Sequence, residues 1–107
     1  MITPEHVEAA LAKLNDEEHA AQVYITEMRA ENEMELIYDK LFQDAQGSIE
    51  MKKSIARSHP AYQEAKELYI IARGDMKAYE AGINGARSII AAYQTQSANA
   101  RQSEWIK

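Results

Sequence analysis

From Tyr62 to Ala100, apolar or small residues return at alternating spacings of three and four. The row is Tyr62, Ala65, Tyr69, Ala72, Met76, Tyr79, Ile83, Ala86, Ile90, Tyr93, Ser97 and Ala100. This alternation is the coiled-coil repeat, sustained here for more than five heptads. It predicts one long helix over roughly 60–102 with a single stripe facing another helix. A first arm, roughly 4–45, carries a related row: Val7, Leu11, Leu14, Glu18, Ala21, Ile25 and Met28. The phase then slips, and Glu31, Met34, Tyr38, Leu41 and Ala45 continue the row. Such a stammer is expected to overwind the helix pair locally. No stretch alternates apolar and polar residues as a half-buried strand would.

Breakers mark the ends of these arms. Thr3-Pro4 reads as a helix start, with Thr3 as cap and Pro4 in the first turn, where a missing N–H costs nothing. Ser58-His59-Pro60 reads the same way. Gly47 ends the first arm, and Ser48 caps a short helix in the tip, 46–59. Asp16 can cap a second start, so the first arm is either continuous or broken at Asn15-Asp16. In the latter case residues 4–14 either run on or fold back. The expected fold is all-α: a single domain, 1–107, built as a long antiparallel helical hairpin with a short C-terminal tail. Each arm would be about 63 Å long. Gly74, Gly82 and Gly85 interrupt the second arm, and close helix approach would explain them.

Charge supports two paired arms. Residues 1–50 hold 12 acids and 3 bases, whereas residues 51–107 hold 5 acids and 9 bases. If residue 45 lies near residue 60, residue i faces residue 105 − i. Glu18 then meets Arg87, Asp39 meets Lys66, Met28 meets Lys77, and Asn32 meets Arg73. The hairpin alone has a thin core, since many stripe positions are alanine. Val23, Leu36, Ile37, Phe42, Leu68, Ile70, Ile71 and Ile89 fall off the stripe. Self-association into a dimeric four-helix bundle is the simplest way to cover them.

Candidate chemistry is sparse. The chain has no cysteine, which removes disulfides, thiolate metal sites and a cysteine nucleophile. Only one Asp-x-x-His pair occurs, Asp16 with His19, so no metal site is expected. No phosphate-binding glycine loop or nucleophile–base set is legible, and neither enzyme activity nor a cofactor is expected. With no signal peptide and no long apolar run, the expected location is the cytoplasm, away from any membrane. Glu27, Glu31, Glu35 and Asp39 recur every fourth residue, with Glu33 close by. They form either a phosphate-like array for a basic groove on another protein, or a solvated face whose repulsion the basic arm relieves. Lys52, Lys53 and Arg57 make a basic tip that suits a phosphate contact. The net charge of −5 argues against strong direct nucleic-acid binding. Four of the six tyrosines lie on the second-arm stripe and read as core rather than as base-stacking platforms. Trp105 either folds back on Val7 and Leu11 or anchors a partner.

The second arm opens with His59-Pro60-Ala61-Tyr62. It closes with Ala91-Ala92-Tyr93-Gln94-Thr95-Gln96-Ser97-Ala98-Asn99-Ala100-Arg101. Over residues 47–102 it resembles a loose group of small helical bacteriophage and prophage proteins encoded near phage recombination genes. It departs from that group at Ala61, where Glu is usual, and at Tyr93, where Trp is usual. The resemblance implies a phage setting, in the host bacterial cytoplasm, and no particular activity. The expected function is therefore a non-enzymatic module that binds a host or phage protein. In its sharpest form it inhibits a host nuclease or an antiviral defence nucleoprotein complex through the acidic face. The alternatives are a recombination accessory protein that binds DNA or an annealing protein, and a structural coiled-coil element.

Overall fold

The computed structural model describes residues 1–106, and the side chains of residues 1–104. The fold is all-α, with α1 at Pro4–Leu14, α2 at Glu17–Asp44, α3 at Ile49–Ser58 and α4 at Pro60–Ile106. Among the described residues there is no strand. The fourth helix extends past the expected end at 102, because nothing after Gly85 breaks it. The chain divides into two units, Ala21–Lys77 and the rest.

In the second-named unit, Thr3 caps α1 as expected. The His6 N–H donates to the Thr3 hydroxyl (3.4 Å), and the Thr3 N–H donates to His6 Nδ1 (3.1 Å). The Glu5 carboxylate is held below its usual range, first by a backbone hydrogen bond and then by the Thr3 side chain. The first arm is broken: α1 ends at Leu14, and Asp16 accepts from the His19 N–H (3.0 Å) to start α2. Asn and Asp bond readily to nearby backbone, which is why the break falls there. Residues 4–14 do not fold back. The Ile2 backbone exchanges two hydrogen bonds with the Gln96 side chain, and the His19 ring meets Tyr79 edge-on at 5.4 Å. Residue i thus lies opposite residue 98 − i in this unit. Among its described residues, Ala10 and Ala86 are the buried hydrophobic ones.

The Ala21–Lys77 unit is an antiparallel helical hairpin of α2 and α4 with α3 at its turn. Glu27 pairs with Arg73 at 3.9 Å, and the Tyr38 and Tyr62 rings lie 5.6 Å apart, so residue i faces residue 100 − i. The expected register of 105 − i is therefore off by five residues. Neither Asp39 with Lys66 nor, in the other unit, Glu18 with Arg87 forms an ion pair. The cause is the tip. Phe42 stacks with Tyr38 and lies under Lys52 of α3, so the last turn of α2 packs on α3 rather than on the start of α4. Ala56 of α3 is completely buried.

The second-arm stripe is as expected: Ala65, Ala72 and Met76 are buried, and Tyr62 and Tyr69 are half-buried. The first-arm stripe is so only in part. Glu31, Met34, Tyr38, Leu41 and Ala45 are half-buried as expected, but Ala21, Ile25 and Met28 are exposed. Val23, Glu27 and Ala30 are half-buried there instead and join Met34, Ile37 and Leu41 in one strict alternation without a stammer. Met34, Ile37, Tyr38, Leu41 and Phe42 set the rotation of α2 at the tip. A stiff helix carries that rotation backwards without the cost of overwinding. This puts Glu27 on the seam, where Arg73 supplies the opposite charge.

Helix caps set the turn. Gly47 takes φ +123°, a region that disfavours side chains, and the Ser48 hydroxyl accepts from the Met51 N–H (3.3 Å). The entry to α4 is capped by His59, within the Ser58-His59-Pro60 start expected there: the Ala61 N–H donates to His59 Nδ1 at 3.0 Å. The Ser58 hydroxyl instead donates to the Ser54 carbonyl (2.8 Å).

The three glycines of α4 do not serve close helix approach within the chain, since a Cβ at Gly74, Gly82 or Gly85 would meet nothing within 4 Å. Each leaves only the entropic cost of a helical glycine, about 0.5–1 kcal/mol. Replacing all three with Ala is expected to raise the urea midpoint and add about 1.5–3 kcal/mol of stability. An unchanged or lowered midpoint would show that another chain needs the space.

Candidate functional site

The exposed carboxylates Glu35 and Asp39 lie on one flank of the Ala21–Lys77 unit. Met34, Glu35, Tyr38 and Asp39 of α2, Arg57 of α3 and Tyr62 of α4 line an open groove of about 400 Å³. The floor comes from the seam, where Met34, Tyr38 and Tyr62 are half-buried. The rim is Glu35, Asp39 and Arg57, all exposed. The opposite flank carries a second groove, of about 300 Å³, lined by Thr26, Arg29, Ala30 and Glu33 of α2 and Ala65 and Leu68 of α4.

These positions divide the carboxylate row that the sequence presents as one face. Glu27 is turned inward, with its side chain only 20% exposed, against Arg73. Glu31 is half-buried on the same side. Arg73 also donates to the Tyr69 hydroxyl (3.0 Å). Its guanidinium is held above its usual value, first by that hydroxyl and then by the Glu27 and Glu31 carboxylates. Glu33 lines the second groove, and only Glu35 and Asp39 reach the first. A four-residue spacing advances the helix past a full turn, so a long row winds from seam to flank.

The basic tip is dispersed in the same way. Lys52 Nζ sits 5.6 Å from the centre of the Phe42 ring, a cation–π contact. Lys53 pairs with Glu50 at 3.7 Å, and Arg57 joins the groove rim. Trp105 lies outside the residues whose side chains are described.

Sequence reasoning treated the tyrosines purely as core and so passed over Tyr38 and Tyr62 as groove floor. The usable signal was position: both stand where the arms approach the tip, where a third helix opens the pair. Among the described residues, no group of three or more His, Asp or Glu side chains is gathered as a metal site, and no helix is long and apolar enough to cross a membrane. An open groove with an aromatic floor and a rim of both signs is suited to receiving a helix with its own charged flank.

The fold and the groove define a small all-α chain with coiled-coil-type pairing and an open groove on one flank of the Ala21–Lys77 unit. No protein family, curated protein or solved structure matches it.

Proposed function

We propose that this chain is a non-enzymatic protein-binding module that docks a helix on the α2–α4 flank carrying Glu35 and Asp39. The observation that supports this reading is the coincidence on one flank of exposed apolar residues, a half-buried aromatic floor and the charges of Glu35 and Asp39, which form no ion pair among the described residues. Large exposed apolar surface marks interaction sites, and rim charges select the partner. The sharper form, inhibition of a host nuclease or a defence nucleoprotein complex in a phage setting, draws on the resemblance of the second arm to phage proteins. It also draws on the carboxylates left exposed on this flank: Glu35 and Asp39. The recombination-accessory alternative has less support, because two of the three tip bases already have contacts inside the chain.

The test is capture of partner protein from a nuclease-treated bacterial lysate by the intact chain. Glu35→Gln with Asp39→Asn is expected to cut retention about tenfold or more, equivalent to about 1.4 kcal/mol. Glu33→Gln, on the other flank, is expected to leave it unchanged. Equal retention by all variants would overturn the docking flank.

A further inference from the structure

Among the described residues the buried hydrophobic set is Ala10, Ala56, Ala65, Ala72, Met76 and Ala86, which includes a single large side chain. In the Ala21–Lys77 unit Met28, Leu36, Leu68, Ile70 and Ile71 are each more than half exposed. Apolar surface of this kind is what a second copy would cover.

Charge indicates which face. On the groove flank, α2 presents Met28, Glu35 and Asp39, at spacings of seven and four. On the same flank, α4 presents Lys66, Ile70 and Arg73, at spacings of four and three. Such spacings keep residues on one side of a helix. Met28 is 60% exposed and Ile70 is 57% exposed. Among the described residues, Glu35, Asp39 and Lys66 take part in no ion pair. The α2 row is thus acidic and apolar, and the α4 row is basic and apolar.

Two such flanks can meet about a twofold axis in two ways. An axis across the helices lays α2 on α2 and sets acid against acid. An axis along the helices lays α2 of each copy antiparallel to α4 of the other and preserves the level of every residue. Because residue i is level with residue 100 − i, Glu35 then comes level with Ala65 of the second copy, one residue from its Lys66, and Met28 with its Ala72, two residues from its Ile70.

We propose that the occupant of this flank is a second copy of the chain, related by a twofold axis parallel to the helices. Met28–Ile70 and Glu35–Lys66 form the cross-copy pairs. This rests on the docking flank proposed above and names its partner.

The experiment uses the full chain and two variants: Met28→Lys/Glu35→Lys, and Lys66→Glu/Ile70→Glu. All four positions are exposed, so both variants are expected to keep the wild-type circular dichroism. Sedimentation equilibrium is expected to show a wild-type dimer and about a hundredfold weaker association for each variant alone. An equimolar mixture is expected to restore the dimer, because each new charge meets its opposite across the interface. Pairing within one chain cannot be rescued by mixing. A wild-type chain that stays monomeric at every concentration overturns the inference. So does a mixture that stays monomeric while the wild type dimerises, since the dimer then uses another face. If the chain is monomeric but Glu35→Gln/Asp39→Asn still abolishes lysate capture, the docking flank stands and only the second copy falls. If capture is also unaffected, both readings fall.

Discussion

Ala72→Asp is expected to cost at least about 3 kcal/mol at neutral pH, the penalty for a buried charge with no partner. Ala72 is 5% exposed on the α4 seam, and Glu27 lies across from it beside Arg73. The new carboxylate would therefore be short of water and close to one of its own sign. A chain of 107 residues has a total stability of about 5–15 kcal/mol. A loss of this size leaves much of the population unfolded in mild urea. The expected pH dependence separates burial from lost helix propensity. Burial raises the Asp pKa in the folded state above its unfolded value of about 3.9. The deficit relative to wild type is therefore full above the folded pKa and shrinks as the pH falls through it. Ala78→Asp, at an exposed position of the same helix, carries the propensity cost alone. Urea titrations of both variants at neutral and acid pH decide the matter. Equal costs with equal pH profiles would mean that the α4 seam is not buried in solution.

Met76→Ala is expected to cost about 2–3 kcal/mol and to lower Tm by roughly 10–20 °C. Met76 is 4% exposed and, among the described residues, is the only buried hydrophobic one larger than alanine. Its removal leaves a cavity between helices that otherwise meet through small side chains, and stiff helices collapse poorly into such gaps. Leu36→Ala removes a side chain of similar size that is 68% exposed. It is expected to change stability by no more than about 0.5 kcal/mol. Calorimetry of the two variants gives the comparison, and similar Tm values for both would refute the alanine-and-methionine core.

The two helices of the pair were not equally legible. The α4 stripe could be read position by position from Tyr62 to Ser97 because no alternative phase offers a comparable apolar row. In α2 two phases compete. The phase through Ala21, Ile25 and Met28 looks more apolar, yet the structure chooses the one containing Glu27. A charge on a seam reads as an error until its counter-charge, Arg73, is known to stand opposite. The register failed for a related reason. It was inferred from where the arms end, but Phe42 and Lys52 commit the last turn of α2 to α3 and shift the pairing by five residues. The candidate site depended on both. Once the α2 phase and the register are known, the acidic row splits between the seam, one groove and the other.

Features that depend on a few neighbouring residues were already present in the linear chain. Thr3, Asp16 and Ser48 cap helices because their side-chain oxygens reach backbone N–H groups three residues on. The helical class and the α4 stripe follow from a local period. The rotation of α2, its register against α4 and the residues that share a groove were decided only on packing. Each depends on atoms far apart in sequence, and a heptad pattern repeats too regularly to distinguish one alignment from the next.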